Sequence, residues 1–270
     1  MVTNIMTVDI EDNFSFEELK DKGDWGRYEK QVIFNTLKIL DIFDNYKIVA
    51  TFFVVGKVAE RCPDLIREIY GRHHFISSHS YYHYPVAVNN ESAFKRDLEK
   101  SLNLLSRIIN KTVLGFRAMG YSIRKKNIEW VLQTLIEYNL KYDSSISPLN
   151  IRGFDTGPIY LKEYELYEFP LSVFNIKRMH LPFAGGTYLR FMPYKIIESC
   201  IKKLNKNGQP AVIYIHPWEF NKDQPARNIS LKQKILQHSI TFNTEKKLIN
   251  LLNTFRFYSI ENYLTEKKYL

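Results

Sequence analysis

The chain has 270 residues, 45% hydrophobic and 14% aromatic, which is enough apolar surface for a packed core and too much for a disordered segment. Its net charge is +9, from 38 basic and 29 acidic residues, but the cations are scattered in short runs such as Arg124-Lys125-Lys126 and Lys202-Lys203. Such runs mark solvated helix faces rather than a nucleic-acid groove, with an anionic glycan or a membrane surface as the alternative partner. Two distant cysteines, Cys62 and Cys200, exclude a disulfide framework and a cysteine-ligated metal site. No apolar run approaches the roughly 18 residues of a membrane span, and the N-terminus lacks the pattern of a signal peptide; a soluble, cytoplasmic protein is expected.

The first predicted strand, 4–10, is apolar and ends in Asp9-Ile10-Glu11-Asp12. On an extended backbone Asp9 and Glu11 point to one side and can serve one site, with Asp12 just beyond, where the chain turns. A helix follows at 29–45, a strand at 48–55, a helix at 63–71 and a strand at 74–78. That strand runs into Ser78-His79-Ser80-Tyr81-Tyr82-His83. On a helical turn, imidazoles four residues apart share a face and can close on one metal ion. The helix at 91–109 carries Phe94, Leu98, Leu102 and Leu105 on one face and has Asn90 and Ser92 as candidate caps. Then come a strand at 113–117 ending in Arg117, a helix at 124–139, a strand at 141–145 holding Asp143, and a strand at 166–174. A helix at 193–206, a strand at 210–216 ending in His216-Pro217-Trp218-Glu219, and a helix at 244–254 complete the chain.

Short apolar strands alternating with amphipathic helices predict an α/β protein with a parallel sheet. About seven such units in one chain predict a single, closed or nearly closed barrel, in which sites sit at the carboxyl ends of strands. Carboxylates, histidines and one arginine converge on that rim. One carboxylate of the first cluster would complete a His-His-carboxylate set on a divalent ion, and a second would take a proton from water. Asp9, Glu11 and Asp12 are the candidates for these two parts. His216 leaves a buried strand at the same rim and suits a general acid. Arg117 and Asp143 are expected to pair, either orienting an acid of the site or forming a plain structural salt bridge.

Asp9-Ile10-Glu11-Asp12, Ala50-Thr51-Phe52-Phe53-Val54, Ser78-His79 with His83, Gly115-Phe116-Arg117-Ala118, Tyr142-Asp143-Ser144-Ser145 and His216-Pro217-Trp218 occur in the order seen in polysaccharide deacetylases. The chain resembles carbohydrate esterase family 4, the nodulation-protein-B homology domain, and most of all the subgroup found near exopolysaccharide-export loci. Leu181-Pro182-Phe183-Ala184-Gly185-Gly186 and Asp223-Gln224-Pro225-Ala226-Arg227 extend the likeness to about residues 4–258 of a single domain, 1–270. The resemblance implies a distorted (β/α)7 barrel and metal-dependent removal of acetyl from an N-acetylhexosamine in a polysaccharide, oligosaccharide or lipid-linked glycan. It implies Asp9 as base, Glu11, His79 and His83 as ligands of zinc or another divalent transition metal, His216 as acid, and Arg117 and Asp143 as support. Tyr82 and Trp218 would stack on sugar rings. The first motif departs from the adjacent aspartates common in the family, which leaves a competing register with Glu11 as base and Asp12 as ligand. A lipid-linked intermediate at the inner membrane face suits the basic charge. Hydrolysis of a small cyclic amide or ureide, or a non-catalytic carbohydrate-binding relic, are the competing functions.

Overall fold

A computed structural model describes residues 2–11, 25–151, 153–154, 156–176, 179–220 and 244–270. Its centre is one curled sheet in which β1 (Asn4–Ile10), β2 (Thr51–Val54), β3 (Phe75–Ser78), β4 (Gly115–Phe116), β5 (Tyr142–Asp143), β7 (Leu166–Glu168) and β10 (Val212–Ile215) are parallel, in the order β10-β1-β2-β3-β4-β5-β7. These are the seven strands expected from the sequence, in a single α/β domain with a barrel-like sheet. β6 (Ile159–Leu161) adds an antiparallel edge on β7, and β11 (Phe257–Tyr258) pairs with the start of β1. Among the described residues no ladder joins β7 to β10. That seam is bridged by the Val212 N–H donating to Ser172 Oγ (2.8 Å) and the Tyr214 N–H donating to the Ala184 carbonyl (3.0 Å).

The helices are α1 (Trp25–Tyr46), α2 (Gly56–Arg61), α3 (Pro63–Gly71), α4 (Glu91–Ile109), α5 (Ile128–Glu137), α6 (Gly186–Phe191), α7 (Tyr194–Lys206), α8 (Thr244–Thr254) and α9 (Ile260–Glu266). Asn90 rather than Ser92 caps α4, accepting the Ala93 N–H at 2.8 Å. The helix expected at 124–139 is confined to α5. Its N-terminal turn is occupied by Asn127, whose side chain accepts the Arg124 N–H. The strand expected at 166–174 stops before Phe169-Pro170, because proline has no N–H to continue the ladder. The chain resumes as β8 (Val173–Ile176), paired in a hairpin with β9 (Met179–Pro182). Asp223–Arg227 lies outside the described residues.

The alternation of side chains along the strands divides the core in two and places the site. Met6, Val8 and Ile10 of β1, Phe52 and Val54 of β2, and Ile213 and Ile215 of β10 pack outward with the helices. Ile5, Phe53, Tyr142 and Val212 point into the lumen, which Ile260 and Leu264 of α9 close from the amino-terminal side. By the same period Thr7, Asp9 and Glu11 follow Ile5 on the lumen face. Arg117 is the layer between: fully buried, its guanidinium sits 4.1 Å over the Phe53 ring. Gly115 leaves room for this filling, since a Cβ there would lie 2.0 Å from the Tyr142 ring.

Candidate metal centre and acid–base groups

Glu11 follows directly on β1, and His79 and His83 lie on the loop that follows β3. One ligand atom from each of these three buried residues falls within 4.8 Å of the others. Glu11 Oε2 is 2.7 Å from His83 Nε2 and 3.7 Å from His79 Nε2. The His79 Nδ1–H donates to the Arg117 carbonyl (2.7 Å), which turns the Nε2 lone pair toward Glu11. Both nitrogens of His83 are buried with no hydrogen-bond-aligned partner, including the one against Glu11. Buried donors that converge in this way without satisfying one another fit a divalent cation. Asp12 lies outside the described residues.

The two histidines reach this position without the helical turn expected of their spacing. Residues 79–83 form a loop in which Ser80 and His83 have positive φ, 63° and 60°. Side chains hold that shape. Asp97 of α4 accepts the N–H groups of Tyr81 (2.7 Å) and Tyr82 (3.0 Å), and Ser80 Oγ accepts that of His83 (3.0 Å). On the other side the Gly56 N–H donates to the Ser80 carbonyl, and a Cβ on Gly56 would come within 2.5 Å of the Tyr81 ring.

Asp9 sits one layer below Glu11. Arg117 Nη1 donates to Asp9 Oδ1 (2.7 Å) and to Thr7 Oγ1 (2.9 Å), while its other nitrogens reach the Ser144 hydroxyl and carbonyl. The partner of Arg117 is therefore Asp9, not the expected Asp143. Asp143 instead faces Glu168, its register neighbour on β7, and accepts from Ser145. Burial raises the Asp143 carboxyl to about 6 and pushes Glu168 well above the usual carboxylate range, so the pair retains a proton. Glu168 carried no periodic or motif signal that could have singled it out.

His216 enters from the end of β10, with Nε2 3.6 Å from Glu11 Oε1 and 3.9 Å from Asp9 Oδ2. Burial would lower its pKa, but the carboxylates of Glu11, Glu219 and Asp9 outweigh that and raise it to about 9. Burial would likewise raise the Glu11 carboxyl, but the charge of His216, with the close contacts of His83 and His79, holds it well below the usual range. Burial lowers the pKa of His83, favouring the neutral imidazole that ligates metals.

The two expected sugar platforms differ. Tyr82 is exposed and stacks on Tyr84 with ring centroids 5.9 Å apart. The ring of Trp218 is engaged within the protein: it stacks on His216 at 5.2 Å, lies under the Arg190 guanidinium, and donates its Nε1–H to Glu11 Oε1 (3.2 Å). These contacts leave the ring half-buried.

Residues 28–139 match the family model described as polysaccharide deacetylase. A peptidoglycan-N-acetylglucosamine deacetylase from Bacillus cereus is 29% identical over 98 residues, 36% of this chain and 36% of that protein. Each of these matches covers less than half of the chain. Residues 144–265 match a second model, a domain of unknown function (DUF3473). The deacetylase match ends just before β5, and the DUF3473 match takes over at Ser144, yet β5 pairs with strands on both sides, so one sheet runs through both regions. The chain spans about a third or less of the length of the curated relatives it matches. Two solved structures share the fold across nearly the whole chain. A Mycobacterium smegmatis protein assigned as a polysaccharide deacetylase has a TM-score of 0.62 at 18% identity, covering 98% of this chain and 90% of its own. The PuuE allantoinase has a TM-score of 0.64 at 13% identity, covering 98% and 91%. No described helix is long and apolar enough to cross a membrane.

Proposed function

We propose that this chain is a metal-dependent amidohydrolase that removes acetyl groups from N-acetylhexosamine units of a glycan. The observation that carries the reading is the placement of Asp9 and His216 beside the Glu11, His79 and His83 cluster, with His216 Nε2 within 3.9 Å of both acids. A divalent cation held by those three residues would supply Lewis acidity to the amide carbonyl and acidify a water molecule. Zinc is the ion best suited to a donor set of two imidazoles and one carboxylate, although other divalent transition metals share that preference.

The chain's own groups do the proton work. Asp9, with Oδ1 tied to Arg117, takes a proton from the attacking water as the carbon–oxygen bond forms. His216 presents Nε2 on the adjacent side and gives a proton to the amine nitrogen as the carbon–nitrogen bond breaks, leaving acetate and a free amine. Glu11 serves as ligand and Asp9 as base; the ion pair of Asp9 with Arg117, one layer below the cluster, supports this register. Tyr82, exposed on the loop between the ligands, is the sugar-stacking residue. The glycan belongs to exopolysaccharide metabolism, in polymer, oligomer or lipid-linked form.

Acetate release from N-acetylchitooligosaccharides, peptidoglycan fragments and lipid-linked N-acetylhexosamines, with a cyclic ureide as a control amide, tests the proposal. Release is expected to stop on chelation and in Asp9→Asn and His79→Ala. Full activity in either variant, or hydrolysis of the ureide alone, would overturn it.

A further inference from the structure

The four residues His216-Pro217-Trp218-Glu219 fold back on themselves. Pro217–Phe220 is a single 3₁₀ turn, and the Glu219 N–H donates to the His216 carbonyl at 3.1 Å. A turn of three residues brings side chains i and i+3 to the same side. The Glu219 carboxylate thereby returns to the residue that precedes the turn: Oε2 accepts the His216 backbone N–H (3.1 Å), and Oε1 stands 3.3 Å from His216 Nδ1. Glu219 is wholly buried, and a buried carboxylate needs charged or hydrogen-bonding partners. Arg190 of α6 brings its Nε within 3.4 Å of the same Oε1.

The two nitrogens of His216 therefore face different surroundings. Nε2 looks toward Asp9 and Glu11, whereas Nδ1 looks away from them, toward Glu219 and Arg190. Trp218, stacked on the imidazole at 23° and hydrogen-bonded to Glu11, restrains the plane of the ring. Asp143, the acid expected to support the site, is turned toward Glu168 and has no contact of this kind with His216.

We infer that Glu219 is the positioning residue of His216: it holds the Nδ1 proton and fixes the ring so that Nε2 addresses the substrate nitrogen, while Arg190 sets the carboxylate's place. The inference rests on the deacetylase reading for its catalytic consequence but not for its geometry. The Nδ1–His216 to Glu219 Oε1 contact is close without being aligned as a hydrogen bond, and catalytic contacts of this kind tighten when substrate is bound.

Proton NMR of the zinc-loaded, ¹⁵N-histidine-labelled protein reads the first half directly. A slowly exchanging, downfield Nδ1–H of His216, assigned by its loss in His216→Asn, is expected in the wild type. It should move upfield or exchange rapidly in Glu219→Gln. Absence of that proton in the wild type, or an unchanged signal in a folded Glu219→Gln, overturns the inference. Steady-state acetate release reads the second half. Glu219→Gln should lower kcat by about 10–100-fold, part of the roughly 10²–10⁴-fold that a positioned general acid contributes, with KM and bound zinc unchanged. A fall in zinc content matching the fall in kcat would make Glu219 structural and overturn the assignment. Should Glu219→Gln fail to fold, Glu219→Asp keeps the charge but withdraws the carboxylate, and the same loss of the Nδ1–H signal is expected. A wild type that releases no acetate from any glycan would defeat the deacetylase reading alone, and the NMR result would still decide the role of Glu219.

Discussion

Arg117 is the residue on which the layers of the lumen depend. It is fully buried, rests on the Phe53 ring, neutralises Asp9 and uses its carbonyl to orient His79. Replacing it by methionine keeps much of the volume and strands a buried aspartate. Breaking a buried pair in this way costs about 3–5 kcal/mol, so Arg117→Met should show a clear drop in the midpoint of urea unfolding, and Asp9→Asn in the same background should restore part of it. An Arg117→Met protein as stable as the wild type would mean that the Asp9 pair is not what holds this layer. The identities of the polar residues on the rim were legible in the sequence, because each ends an apolar strand. Their partners were not. Arg117 and Asp9 are 108 positions apart, and nothing in either segment says that Asp143 will turn to Glu168 instead.

At the scale of elements, the loop between the two histidines shows why spacing alone misjudged the local structure. Positions i and i+4 meet on a helix, but here they meet because Ser80 and His83 adopt positive φ and Asp97, reaching from α4, ties down the intervening amides. The short-range signal was therefore correct about convergence and wrong about its means. Asp97→Ala should leave the fold intact while lowering zinc affinity about 10–100-fold, as measured by competition with a chromogenic chelator. Gly56→Ala should act in the same direction, because its Cβ would press on Tyr81. Unchanged affinity in both variants would show that the ligand loop holds its shape without α2 and α4. The strands were the most readable elements, since inward and outward residues alternate along β1, β2 and β10. The single strand expected at 166–174 breaks at Pro170, which has no N–H for the ladder, and nothing in the residues beyond it announced the β8–β9 pairing.

The whole molecule buries carboxyl groups away from the metal cluster, and these set the sign of its pH dependence. Burial raises Glu261 of α9 from its ordinary 4.5 to about 7; the hydroxyls of Thr51 and Tyr142, which donate to it, offset only part of that. A raised carboxyl keeps its proton in the folded state over the interval between those values, so the native state binds more protons than the unfolded chain there. Its stabilising contribution is present below about pH 4.5 and is lost as pH rises through 7. Asp143, raised to about 6, acts in the same sense. The urea midpoint should therefore fall between pH 5 and pH 8, and Glu261→Gln should flatten that fall; an unaltered slope in the variant would contradict the assignment to Glu261. The class of fold could be read from the alternation of strands and helices, but the role of α9 in closing the lumen could not, since Ile260 and Leu264 look like any other amphipathic helix face.

Everything proposed for this rim depends on Glu11, His79 and His83 holding one metal ion between them. Calorimetric titration of zinc into dialysed protein tests it most directly. The wild type should bind one equivalent, and Glu11→Gln, His79→Ala and His83→Ala should each lose that binding while remaining folded. A wild type that binds no zinc or other divalent transition metal, or single variants that still bind one equivalent with wild-type affinity, would contradict it.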